Sequence, residues 1–380
     1  MEDIGGIMVG VVFLRLPSCT FASSPVASTD PAGCCWFRET EAPMANDPDR
    51  IERPATLDDA EAATEMFNAR SRHFYGVDQA TEDEIRAWMG MPRFDLARDT
   101  RVIVDREGKL LAWAHVMDPG APYVQIWCGL SVAVSHMEEE ALWDALLAWC
   151  EQRARDYVPL APPEARVTLG FDGLIEDVHR LNAIERAGAQ RVRIGNRMRI
   201  DLEERPEAPE WPEGIRVRTY AHDKDLRPLV AAFEEAFRDH WGFVESPLDE
   251  SVARLRDGIA ADRERFDPSL WFLAVDGQEI AGFALCSDDI AGDETRSELD
   301  PFGVRKAWRR RGLGLALLKH SFLVLFERGK TAVELDMDSE NLTGALRLYG
   351  RAGMHVIRQQ AVYEKELRAG TDFAIRELEG

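Results

Sequence analysis

The sequence predicts an α+β protein of two tandem domains, each a mostly antiparallel twisted sheet flanked by helices. Three observations carry this. One order of strand, helix, hairpin, strand, helix and strand occurs twice along the chain. Each copy holds two alternating apolar runs around a strong hairpin dipeptide. An acidic, proline-rich stretch separates the copies.

Residues 1–43 precede this pattern. They open with Glu2 and Asp3 before an apolar run from Ile7 to Leu14, whereas a secretory signal needs a basic start. The tract from Pro17 to Pro43 has neither helical nor strand period, so it reads as a disordered leader or a mis-assigned start, with Met44 a natural first codon. The first domain, 51–202, opens with a strand from Ile51 and a helix over Asp58 to Arg70. Its hairpin turns at Glu107-Gly108, and a helix carrying Arg186-Ala187-Gly188 precedes a last strand closing on Leu202. The linker, 203–214, holds three prolines and five glutamates in twelve residues. The second domain, 215–367, repeats the plan with a strand from Ile215, a helix over Asp225 to Arg238 and a turn at Asp276-Gly277. Arg351-Ala352-Gly353 then precedes a last strand closing on Leu367, and 368–380 is a tail.

Composition excludes several functions. The 380 residues carry 46 basic and 68 acidic side chains, a net charge of −22, so nucleic-acid phosphates would meet a repulsive mean field. No apolar run reaches the roughly 18–20 residues of a membrane-spanning helix. The six cysteines (Cys19, Cys34, Cys35, Cys128, Cys150, Cys286) form no CxxC pair and no metal-ligand cluster. They fit a cytoplasmic, reducing compartment. Asp336-Met-Asp338-Ser-Glu340-Asn341 resembles a calcium loop but lacks its glycine and closing glutamate, so no metal site is expected.

The chemistry concentrates in one loop of the second copy. From Arg305 to Arg311, five of seven residues are cationic, followed by Gly312-Leu313-Gly314 and an apolar helix. A strand from Leu299 to Val304 precedes it. Unpaired N–H groups and the dipole make such a helix start an anion site, and glycines let a pyrophosphate approach the backbone. A dinucleotide fingerprint would want glycine at Leu317, and a P-loop ending at Gly329-Lys330-Thr331 would want one at Val324.

Arg309-Arg310-Arg311-Gly312-Leu313-Gly314 resembles the (Gln/Arg)-x-x-Gly-x-(Gly/Ala) loop of the GNAT superfamily of acyl-CoA-dependent N-acyltransferases. Asn341 to Gly353, with Tyr349 between, resembles that family's second motif at the expected distance. The likeness covers Ile215 to about Leu367, and the tandem layout is similar to that of the mycothiol synthases. It implies acetyl-CoA as co-substrate. Phe302, Gly303 and Val304 would pair with the pantetheine arm. Amides of Arg309, Arg310, Arg311, Gly312, Leu313, Gly314 and Leu315 would cradle the pyrophosphate, with the arginines adding charge, and Asn341 would bond the pantetheine. The Val304 N–H would polarise the acyl carbonyl. Tyr349 takes the family's general-acid position.

Glu298 is the candidate base, since six residues from Val304 is an even step and places both on one sheet face. Asp300 shares the parity and is the alternate; a bulge at Pro301 would break the rule. His240 and Trp241 follow the first helix of this copy, and they either line the acceptor pocket or pack. Cys286 has no evident base and reads as core. In the first copy, Glu138-Glu139-Glu140 fall against the three arginines, Ala141 and Trp143 against the two glycines, and Ile184 against Tyr349. Each anion would repel a phosphate by roughly 1–4 kcal/mol, so this copy reads as degenerate. The expected function is acetyl transfer to a primary amine of a small molecule by a monomer or homodimer. Mycothiol synthase and a noncatalytic acetyl-CoA-binding sensor are the alternatives.

Overall fold

The protein is described here by a computed structural model, which covers residues 49–91, 94–261, 266–290, 293–339 and 344–376. The expected leader lies outside them. The first half comprises β1 (Arg50–Arg53), α1 (Ala60–Tyr75), α2 (Glu82–Met89), α3 (Leu96–Asp99), β2 (Thr100–Asp105) and β3 (Leu110–Val116). It continues with β4 (Gln125–Val132), α4 (Glu140–Arg155), β5 (Val167–Leu174), α5 (Val178–Arg186) and β6 (Gln190–Asp201). The second half comprises β7 (Ile215–Thr219), α6 (His222–Phe237), α7 (Leu248–Ala261), β8 (Trp271–Asp276) and β9 (Glu279–Cys286). Then come β10 (Arg296–Val304), α8 (Leu313–Glu327), β11 (Ala332–Asp338), α9 (Ala345–Arg351) and β12 (His355–Arg368). Both hairpins turn where the glycine dipeptides stand, with Gly108 at φ 82° and Gly277 at φ 60°.

Among the described residues, the strands lie in one twelve-stranded sheet, in the order β1-β2-β3-β4-β5-β12-β6-β11-β10-β9-β8-β7. The order differs from the expectation that each half's last strand closes its own sheet. The last strands are exchanged. β12 pairs antiparallel with β5 of the first half, β6 pairs antiparallel with β11 of the second, and the two pair with each other. Packing follows the exchange. Ala361 and Tyr363 of β12 are buried in the first half's core with Leu146, Cys150 and Phe171, while Met198 of β6 is buried in the second half's core with Leu317, Phe322 and Leu335. Each fully buried large side chain contributes about 1.5–3 kcal/mol, so each half depends on the other for part of its core.

Helices cover both faces. In the second half α8 and α9 share one apolar cluster with the sheet, and α6 and α7 share another with Leu273, Phe283 and Leu285 on the opposite face. The stretch after β12 is also held. Arg166 donates its N–H to the Thr371 carbonyl, and the Ile375 N–H bonds the Phe243 carbonyl, tying residues 371–375 to both halves.

Candidate active site

Among the described strands every pairing is antiparallel except two, β4 with β5 and β10 with β11. In the second half the parallel pairing lasts only from Arg296–Ala332 to Glu298–Glu334. Beyond that β10 stays with β9 and β11 stays with β6, so the two strands part. The Arg305 N–H bonds the Ala281 carbonyl, and Val304 lies opposite Gly282. Bonding positions alternate along an antiparallel edge, so Phe302 and Val304 turn their N–H groups away from β9, into the gap.

The gap leads to the start of α8. Arg310 at φ 62° and Gly312 at φ 86° give the chain two left-handed steps before the helix. The first bond into the helix runs from the Ala316 N–H to the Gly312 carbonyl at 3.1 Å. The N–H groups of Leu313, Gly314 and Leu315 therefore have no acceptor among the described residues, as expected of a helix start. A Cβ on Gly314 would lie 3.0 Å from the Leu348 side chain. Hydrogen at that position lets α9 pack closely against the loop. Free amides, left-handed turns and a nearby charge surplus fit a pyrophosphate-bearing ligand.

Only part of the arginine run is available for such a ligand. Arg310 and Arg311 are exposed, and neither has a carboxylate partner among the described residues. Arg309, expected at the phosphates, turns away from them. Its guanidinium pairs with Asp239 and donates to the carbonyls of Ala236 (2.6 Å) and Val304 (3.0 Å), and its N–H bonds the Lys306 carbonyl. The end of α6 supplies acceptors, so Arg309 clamps α6 to β10. Arg305 is likewise held by Glu235 and Glu279.

The parity that joined Glu298 to Val304 does not hold. Leu299 lies opposite Cys286 and Phe302 opposite Ala284, three residues against two, and the extra residue at Pro301 reverses the alternation. Leu299, Phe302 and Val304 all join the α8–α9 cluster. Glu298 instead faces the other side with Arg197, Glu334 and Asp336, whose neighbours Met198, Leu335 and Met337 point to α8. Arg197 Nη1 donates to Glu298 at 2.6 Å and to Asp336 at 2.9 Å, and its Nε to Glu334 at 2.9 Å. Asp300 sits at the bulge and acts electrostatically on Tyr349.

Tyr349 is buried on α9, its ring centroid 6.0 Å from that of Phe302. Its hydroxyl has no hydrogen-bond partner among the described residues. Burial, with Asp300 adding to it, pushes the phenol well above its ordinary range, so it is protonated at neutral pH. Asn341 lies outside the described residues. His240 packs edge-on against Phe237, and burial lowers it to about 4, so it is neutral at pH 7. Trp241 is buried between the guanidiniums of Arg193 and Arg376 and packs on Trp127, Val192 and Val362. It joins the halves. Cys286 is buried, its thiol pushed up to about 12, which suits a core residue.

The first half parts its strands in the same way after Gln125–Thr168 to Trp127–Gly170. There the space is filled. Arg70 of α1 donates to the Val132 carbonyl at 2.9 Å, pairs with Asp177 at the start of α5, and stands over the Trp143 ring. Glu139 and Glu140 pair with Arg50 and Arg186. The sequence reading reached the acids and Trp143 but not Arg70 or Arg197. The available signal for Arg197 was only compositional: β6 carries four arginines in a twelve-residue strand.

A model of the acetyltransferase (GNAT) family matches residues 227–354, a span that leaves out both exchanged strands. A mycothiol acetyltransferase of Thermobispora bispora is 32% identical over 169 residues, 44% of this chain and 55% of that protein. One of Actinosynnema mirum is 31% identical over 44% of this chain and 54% of its own length. The chain thus spans about half the length of the curated relatives it matches. The crystal structure of a GCN5-related N-acetyltransferase from Sphaerobacter thermophilus is 33% identical, with a TM-score of 0.72 over 86% of this chain and 98% of that one. The chain belongs to the GNAT acetyltransferase family. A tandem GNAT protein from the clavulanic acid biosynthesis pathway shares the fold, with a TM-score of 0.63 at 13% identity over 85% of this chain and all of that one. Among the described residues of this GNAT chain, no helix is long and apolar enough to cross a membrane, and no three His, Cys, Asp or Glu side chains gather as a metal would need.

Proposed function

We propose that the second half transfers an acetyl group from acetyl-CoA to a primary amine of a small molecule. The observation that carries this is the gap between β10 and β11, which turns two backbone N–H groups inward and ends at a helix start whose first amides have no acceptor among the described residues. Acetyl-CoA would supply an activated thioester. Phe302, Gly303 and Val304 would align its pantetheine arm, and the amides of Leu313, Gly314 and Leu315, with Arg310 and Arg311, would take its pyrophosphate. The Val304 N–H would hold the carbonyl oxygen as charge develops there.

The bulge puts Glu298 and Tyr349 on opposite sides of the sheet. Glu298, on the α6–α7 side, would take the proton that the amine loses on attack, directly or through water. Tyr349, on the α8–α9 side, would give its hydroxyl proton to the departing sulfur and regain one from solvent. Asp300 remains the alternate base, and Asn341 a candidate pantetheine contact. Trp241 and His240 would act at the edge of the acceptor pocket by packing.

The mycothiol acetyltransferase likeness favours that reaction as a specific second reading. Thiol release should be measured with glucosamine, cysteine and deacetylated mycothiol as probe amines. Glu298→Gln and Tyr349→Phe should each lower kcat by about 10²–10⁴-fold while leaving acetyl-CoA affinity within a few-fold. Binding of acetyl-CoA with no turnover of any amine would favour a noncatalytic sensor.

A further inference from the structure

Strand β6 belongs to the first half by sequence but lies between β12 and β11, and one of its side chains reaches the candidate reaction centre. We propose that Arg197 is a positioning residue for Glu298, so that the first half's last strand supplies the cation that aims the second half's base and keeps it ionised. The inference rests on the acetyl-transfer reading, in which Glu298 takes the amine proton.

Geometry supports it first. Arg197 lies opposite Asp336 in the β6–β11 register, and its guanidinium bridges three carboxylates, with Nη1 shared between Glu298 and Asp336. The bridge sits where β10 and β11 part, since Glu298–Glu334 is the last parallel pair before the gap. A buried ion cluster is a poor stabiliser compared with apolar packing, so its place at the mouth of the gap calls for another reason.

The charges around Glu298 supply that reason. Arg197 faces it from β6, Glu334 and Asp336 from β11, and Arg296 and Asp300 stand two residues away along β10. At the end of β9 the Ser287 hydroxyl accepts the Glu298 N–H at 3.3 Å. Arg296 is engaged by Glu334 at 2.9 Å and by Asp293 at 2.6 Å. The neighbouring carboxylates favour a protonated Glu298, and a protonated carboxyl accepts no proton. Arg197 opposes them. Burial alone would lower its own affinity for its proton, but Asp336, Glu298 and Glu334 outweigh that and hold it well above the ordinary range. It is therefore a permanent cation.

The test uses the full chain, labelled with ¹³C at glutamate side-chain carboxyls. The Glu298 signal is identified by its loss in Glu298→Gln and titrated by NMR in wild type, Arg197→Lys and Arg197→Gln. In Arg197→Gln the midpoint should rise by about 1–3 pH units, and Arg197→Lys should restore most of the shift. If Arg197→Gln does not fold, Arg197→Gln/Asp336→Asn removes one charge of each sign and should show a smaller rise. An unmoved midpoint in the folded neutral variant overturns the proposal. A moved midpoint together with full turnover by Glu298→Gln supports the hold of Arg197 on Glu298 and overturns the base assignment alone, so the two failures are distinct.

Discussion

The two halves part their strands at the same place and differ in what they put there. In the second half Gly312 faces open space at the helix start, Gly314 packs against Leu348, and Arg310 and Arg311 stand free of carboxylates among the described residues. In the first half Trp143 replaces a glycine, acids replace the arginines, and Arg70 crosses from α1 to the end of β4 and the start of α5. The parting of strands is thus a property of the sheet, whereas an open helix start is a property of a few side chains. The first half keeps the parted strands without the open start. This one still has work, because its β6 completes the second half's sheet and brings Arg197 to Glu298.

Exchanging features between the halves tests whether these side chains make the difference. Arg70→Ala leaves Asp177 buried without its cation, and should cost about 3–5 kcal/mol of stability by denaturant titration. It should not create a second acetyl-CoA site, because Trp143 and Glu140 remain. Gly314→Trp copies Trp143 into the second half. Its Cβ would already press Leu348 at 3.0 Å and meet Phe302 at 3.7 Å, so overpacking of about 1–3 kcal/mol is expected, with loss of acetyl-CoA binding by calorimetry.

Two pH effects are smaller. Tyr349 is held protonated far above neutrality, so the turnover profile should show no basic limb from it below about pH 10, its ordinary range. A limb near neutrality that vanishes in Tyr349→Phe would contradict this. His240 sits at about 4 when folded against an ordinary 6.5, because burial disfavours its cation more than Asp239 favours it. A depressed folded value gives stability that is present above pH 6.5 and lost as pH falls through 4. The thermal midpoint should decline across that window, and His240→Gln should flatten the decline.

Much of this was legible in the sequence, for physical reasons. Hairpin dipeptides, the basic glycine loop and the apolar helix after it are local signals, and the structure has elements where they stand. The strand exchange was not legible, because β6 and β12 have similar patterns and either would satisfy either sheet edge; only three-dimensional packing of Met198 and Tyr363 distinguishes them. Arg309 misled because composition counts charges without their partners, and Asp239 is seventy residues away. The Glu298 parity failed at Pro301, where one extra residue reverses a strand's faces. The same reversal leaves Glu298 on the face of the sheet opposite Tyr349.

In the function proposed here, the second half binds acetyl-CoA and the first half builds the sheet around it. Calorimetric titration of acetyl-CoA into wild type and Gly312→Glu tests it most directly. One site per chain is expected, weakened at least about 100-fold in the variant, since a carboxylate among phosphates costs about 1–4 kcal/mol for each repulsive pair. Two sites per chain, or one site indifferent to Gly312→Glu, would contradict it.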